Sequence, residues 1–136
     1  MKLLVYHIVC STFLLLATAF ESVQDEKVYT VSEVSIKPEP LMGQHTFQKK
    51  WSSKVAYPGD AVKEKVEGMV YIEFVVDKDG SVRDAAVRSG LGFGCDEAAL
   101  EGFKEVSKDA WKPGVKNDQP VKVKMVLPFQ FRIIKM

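Results

Sequence analysis

The stretch from Gly68 to Gly90, GMVYIEFVVDKDGSVRDAAVRSG, constrains the fold most, because strand, turn and returning strand can all be read from residue type. Val70, Ile72, Phe74 and Val76 share one face at the two-residue strand period, with Tyr71, Glu73 and Val75 on the other. Asp77-Lys78-Asp79-Gly80 supplies a polar loop whose glycine can take positive φ, and the chain returns through Val82, Ala85 and Val87. Val82 is out of phase with Ala85 and Val87, so either a bulge lies near Arg83 and Asp84, the favoured reading, or the return strand begins only after them. Two strands alone are marginal in water, so the remaining chain must supply a third strand and a cover for the apolar face.

The last segment is the natural third strand. Val121, Val123, Met125, Leu127, Phe129 and Phe131 alternate with Lys122, Lys124, Val126, Pro128, Gln130 and Arg132. Pro128 cannot donate to a ladder, which places this strand at an edge or puts a bulge in it, and Lys122 and Lys124 suit a guarded edge. The cover is helical. Phe47, Trp51 and Val55 recur every four residues from Thr46 onward, a short helix is expected over Pro58 to Lys65, and Cys95, Ala99, Leu100, Phe103 and Val106 give a third helix its apolar side. Asp96 and Glu97 favour that helix's start electrostatically. Trp111-Lys112-Pro113-Gly114 and Asn117-Asp118-Gln119 are turns. A right-handed crossover then sets the last strand beside the first hairpin strand. The expected fold is α+β: a three-stranded antiparallel sheet, order second, first, third, with helices packed on one face.

Lys2 precedes an apolar run from Leu3 to Phe20, and Ala17-Thr18-Ala19 has small residues where a signal peptidase reads. Residues 1–19 are expected to be a cleaved secretory leader. The alternative is an uncleaved anchor, since ~20 apolar residues span a bilayer. Residues 20–45 are expected to form an extended N-terminal segment, containing Val28-Tyr29-Thr30-Val31 as strand-like residues, and residues 46–136 the domain. The chain carries 19 basic and 18 acidic residues, and Lys2 is the leader's one charge, so the remainder is balanced. Counterion release from nucleic acid needs a basic surplus, which excludes that class of partner. Of two cysteines, Cys10 falls in the leader, leaving Cys95 without an intramolecular partner.

No cofactor or metal is expected: His45 has no ligand at suitable spacing, Asp77 and Asp79 lack the later glutamate of a calcium loop, and Ser52, Ser53 and Ser89 carry no nucleophile signature. Cys95 reads as a small packing residue, because Asp96 and Glu97 oppose a thiolate. An enzyme would need converging ionisable groups, which this sequence does not supply.

Tyr57-Pro58-x-x-Ala61, Gly68, Val70-Tyr71-x-x-Phe74-Val75-Val76-Asp77-x-Asp79-Gly80, Cys95-Asp96-Glu97-Ala98-Ala99-Leu100, Trp111-x-Pro113-Gly114, Pro120-Val121 and Leu127-Pro128-Phe129-x-Phe131 occur in that order. Together they resemble the C-terminal domain of TonB-family energy transducers, and Val28 to Val31 with Pro40-x-x-Gly43 resemble the lead-in of its Bacteroidetes branch. The resemblance implies a non-catalytic periplasmic module whose partner is an extended peptide of an outer-membrane TonB-dependent transporter, or another envelope protein, paired with the last strand. By position it implies a binding set of Tyr57, Pro58, Val121, Lys122, Val123, Lys124, Met125, Val126 and Leu127. The alternative is a structural or regulatory envelope protein that self-associates as a homodimer through the same edge. Full transducers carry a long spacer, whereas about 35 residues, at most ~120 Å long when stretched, lie between Ala19 and Lys54 here, so a stand-alone domain is expected, in contact with a membrane only if the leader is kept.

Overall fold

The computed structural model describes residues 26–135; the expected leader lies outside them. The hairpin forms as β3 (Gly68–Val76) and β4 (Val82–Ser89). Asp77 N–H donates to Ser81 O and Gly80 N–H to Asp77 O, with Gly80 at φ 83°. The expected bulge is present: Glu73 pairs with Ala86 but Val75 with Arg83, and the extra residue includes Asp84 at φ 56°. A second register shift lies between Tyr71 and Ile72. Beside β3 runs the last strand, here β7 (Gln119–Phe131), antiparallel and in unbroken register from Gly68 opposite Phe131 to Val76 opposite Val123.

The sheet does not stop at three strands. Val28–Thr30 forms β1, parallel to β7, and Gly114–Lys116 forms β6, antiparallel to it. This corrects the three-stranded antiparallel sheet to a mixed one of five strands, β1-β7-β3-β4 with β6 also on β7. The reason is that β7 is longer than β3, which leaves Gln119 to Val121 for β6, and that it offers a second side, part of which β1 fills. A separate two-stranded pair joins β2 (Glu39–Pro40) to β5 (Trp111–Lys112).

Three helices supply the cover: α1 (Gln44–Lys54), α2 (Gly59–Lys63) and α3 (Cys95–Val106). Pro58 is the residue that caps α2 rather than its first turn, and Lys65 at φ 54° ends the path two residues after it. Phe47 and Trp51, one turn apart on α1, are fully buried with Phe103 of α3 against Val70, Ile72, Phe74 and Val76 of β3. Burial of each such side chain contributes roughly 1.5 to 3 kcal/mol, so this face carries most of the stability. Trp51 is anchored as well as buried, its Nε1–H donating to Ala99 O at 2.9 Å. Gly102 is what lets α1 come this close: a Cβ there would lie 2.7 Å from Val55 Cγ2. Among the described residues, no helix is long and apolar enough to cross a membrane.

Candidate functional site: a half-open strand rim

β7 has an inner face and an outer rim, set by different features. On the inner face Val123, Met125, Phe129 and Phe131 are buried, as the alternation requires. The rim is the side away from β3. β6 is not on this rim: it pairs with Gln119 to Val121 beyond the end of β3, joined to β7 through Asn117 and Asp118 at φ 50° and 59°, the paired positive angles of a tight hairpin turn. Val115 turns its N–H and C=O to Ile36, so Gln119 and Val121 face β6, on the side that odd residues of β7 share with β3. The rim itself is closed over Lys122, Val123 and Lys124 by β1, which pairs them with Val28, Tyr29 and Thr30. From Met125 to Phe131 no described strand lies on that side.

The main-chain direction on this open half follows from the hairpin. In an antiparallel ladder alternate residues turn both N–H and C=O toward one neighbour. Asp77 N–H bonds to Ser81 O, so the odd residues of β3 face β4 and the even ones face β7. Val70, Ile72, Phe74 and Val76 oppose Phe129, Leu127, Met125 and Val123, so these odd residues of β7 face β3. Val126, Pro128 and Gln130 therefore turn their main-chain groups outward. Pro128 sits where its missing N–H breaks no bond to β3, which is why the register passes through it without a bulge.

The expected binding residues are divided by this geometry. Lys122, Val123 and Lys124 already carry β1 on the outer side, and Val121 pairs with Gly114 of β6 on the other, which corrects the reading of Val121 to Leu127 as one open edge. Met125, Val126 and Leu127 lie on the open half, with Met125 buried inward and Val126 and Leu127 half-buried. Tyr57 lies at the far end of β7 and not on its outer rim, its ring 5.2 Å from that of the inward-facing Phe131 and its hydroxyl donating to Val66 O, just before β3, at 2.5 Å. Burial, and then the neighbouring Cys95 and Glu67, raise its phenol above the ordinary value. Pro58 is half-buried beside Gly94, whose Cβ would meet it at 3.3 Å.

β1 is held in place by a group of residues of which sequence reasoning singled out only Tyr29, Thr30, Lys78 and Lys122, and not Glu26, Lys27, Glu33 and Lys116. Glu26 forms ion pairs with Lys78 and, at 3.1 Å, with Lys122. The Tyr29 ring lies between the Lys27 and Lys116 ammonium groups, each 4.6 Å from its centroid. Glu33, in the 3-10 turn Val31–Glu33, accepts from Thr30 N–H at 2.8 Å and Thr30 Oγ1 at 3.0 Å. The Thr30 backbone bond, then its hydroxyl and Lys27, lower the Glu33 carboxyl to about 2. The Thr30-x-x-Glu33 spacing is the sequence signal that points to this turn. Cys95 is fully buried, and burial followed by Asp96 and Glu97 pushes its thiol up, so it packs rather than reacts. Among the described residues no three His, Cys, Asp or Glu side chains converge on a metal site.

Three helices and a mixed sheet, with half of β7 free of any described strand on its outer side, make this an α+β domain. The sequence profile described as "Gram-negative bacterial TonB protein C-terminal" matches residues 53–133, more than half of the chain. The chain belongs to the TonB C-terminal domain family. Similar solved structures include the NMR structure of the Helicobacter pylori TonB C-terminal domain (residues 179–285), 27% identical over 66% of this chain and 81% of that one, with a TM-score of 0.46. The Pseudomonas aeruginosa TonB C-terminal domain is 21% identical over 79% of this chain and 95% of that one, with a TM-score of 0.44. No match was found among the curated proteins. Proteins of this family act in the cell envelope, in energy transduction to TonB-dependent outer-membrane transporters.

Proposed function

We propose that this chain is a non-catalytic periplasmic domain that binds an extended peptide, such as a segment of a TonB-dependent transporter, by strand pairing on the rim of β7. The observation that supports this reading is the outward main chain of Val126, Pro128 and Gln130 with no described strand beside it. Main-chain hydrogen bonds give such a contact its affinity, each contributing about 0.5 to 1.5 kcal/mol net, and flanking side chains give selectivity. Leu127 and Val126 flank the rim, and Tyr57 with Pro58 lies at the far end of β7. Residues 1–19 as a cleaved leader would deliver the domain to the periplasm, which the mass and N-terminus of the native protein test directly.

Titration of a fluorescently labelled transporter segment against wild type and Val126→Pro tests the pairing. The substitution removes an outward N–H and leaves the β3 ladder intact, so affinity is expected to fall at least about tenfold, equivalent to ~1.4 kcal/mol, with little change in thermal stability. Unchanged affinity in a folded Val126→Pro protein removes edge pairing as the mechanism.

A further inference from the structure

We propose that β1 is a built-in occupant of the partner rim, a strand held in cis that an incoming peptide must displace; this rests on reading β7 as the partner site. The open half of β7 is an incomplete template. Pro128 offers a carbonyl but no N–H, so the outward donors there are separated by a gap. The alternation that turns Val126 outward also turns Lys124 and Lys122 outward, and these three make an unbroken row of donors and acceptors. Two of the three lie under β1. A visiting strand of ordinary length, about five residues, pairs fully only by taking β1's place.

β1 is built to leave. It has three residues, none buried, with Val28 41% exposed. Its pairing is parallel, the slightly less stable geometry, whereas β6 is tied to β7 by a two-residue turn. What holds it beyond the ladder is charge at the surface: Glu26 with Lys78 and Lys122, and Lys27 with Glu33. The two more exposed pairs, Lys27 with Glu33 and Lys78 with Glu26, each contribute little and weaken with salt; Lys122 is 19% exposed and its pair is the better sheltered. Tyr29, between Lys27 and Lys116, is the one aromatic side chain on the strand.

The probe for this inference is a fluorescein-labelled synthetic peptide of residues 24–32, QDEKVYTVS, titrated against the full chain in three forms. In the first, wild type, β1 competes. In the second, Glu26→Lys with Tyr29→Gly weakens its hold. In the third, Thr30→Cys with Lys124→Cys locks it, because these exposed residues are direct partners at the inter-strand spacing a disulfide can bridge. A site free one-tenth of the time shows a tenfold weaker apparent affinity, so the weakened form is expected to bind the probe about tenfold more tightly than wild type. The oxidised locked form is expected not to bind, and reduction to restore binding. Equal affinity in all three forms, or no binding to a folded weakened form, overturns the proposal. If the weakened form does not fold, amide exchange of Val28 to Thr30 in wild type decides: acceleration by saturating probe supports displacement, and unchanged exchange overturns it. A transporter peptide that binds the locked and reduced forms equally overturns the role of β1 while leaving the rim reading intact, whereas loss of the Val126→Pro effect strikes the rim reading alone.

Discussion

Gly80→Ala tests how the hairpin is fastened to the rest of the molecule. Gly80 has φ 83°, a left-handed angle that costs an L-residue roughly 1 to 2 kcal/mol. A Cβ there would lie 2.0 Å from Trp111 O, and a backbone oxygen cannot rotate aside as a side chain would. Relief requires the turn and Trp111 to separate, which removes the 3.1 Å bond from Trp111 N–H to Gly80 O, about 1 kcal/mol. It also loosens the Trp111 ring from Phe47 at 5.1 Å and Phe74 at 5.3 Å, pairs that contribute about 0.5 to 1.5 kcal/mol each. The loss is expected to be about 3 to 5 kcal/mol, a large part of the 5 to 15 kcal/mol typical of whole domains. At about 4 to 8 °C per kcal/mol for a small domain, the melting temperature should fall by roughly 12 to 40 °C. Urea denaturation followed by tryptophan fluorescence and near-ultraviolet circular dichroism measures it, with a similar urea slope showing that the native state stays compact. Gly80→Asn separates the two causes. Asparagine tolerates left-handed angles but has a Cβ, so collision keeps it within about 1 kcal/mol of alanine, whereas strain alone would let it recover most of the loss. A Gly80→Ala loss below about 1.5 kcal/mol, or full recovery by asparagine, refutes the reasoning.

Tyr57→Phe keeps the ring on Phe131 and removes the hydroxyl bond to Val66 O, so about 1 kcal/mol of stability is expected to be lost, read by denaturant titration. The same phenol titrates above its ordinary value of 10.0 in the folded protein, so its contribution is full below pH 10 and declines as pH rises beyond it; Tyr57→Phe should remove that decline. Glu33 has the opposite sign: its folded value of about 2 lies below 4.5, so its hold on Thr30 is complete above pH 4.5 and is lost as pH falls toward 2. The Thr30 amide resonance should report this acid transition, and Glu33→Gln should abolish it. Trp51→Phe removes the bond to Ala99 O and part of the contact with Phe129, at 4.8 Å between rings, with an expected cost of about 2 to 3 kcal/mol in the same denaturation assay.

Local chemistry made most of the central architecture legible. Period-two apolar runs specify β3 and β7, Asp77 to Gly80 specifies the turn between β3 and β4, and the phase slip at Val82 favours the bulge over a later start of β4. Helices α1 and α3 follow from apolar residues at three- and four-residue spacing. The rim was only partly legible, for a physical reason. Val28 to Thr30 reads as a strand from its own residues, but three residues do not encode a partner, and their place on β7 is fixed by distant groups: Lys122, Lys78 and Lys116. Likewise Asn117-Asp118 announces a turn, while Gly114–Lys116 is too short to show periodicity and is identified as a strand only by what it pairs with. Gly114 fits there because a Cβ would lie 2.3 Å from Val123 Cγ2, a constraint set across the sheet rather than along the chain.

A thirteen-residue strand with a free side is a template for unwanted pairing, and its closure explains features that look unrelated. β6 pairs with the first positions of β7 on the side of β3, through a local turn that cannot be exchanged without breaking the hairpin. On the free side β1 takes Lys122 to Lys124, and Pro128 interrupts the donors of what is left. The opposite edge of the sheet, β4, is defended in another way, by two register shifts and by Asp84 in a left-handed conformation, which keep a flat ladder from extending. The two edges are thus unequal: distortion guards β4 along its length, whereas removing one three-residue strand makes the β7 rim continuous from Lys122 to Val126. Selective binding at one edge then requires no pocket and no catalytic group, only a partner strand that competes better for those main-chain groups than Val28 to Thr30 does.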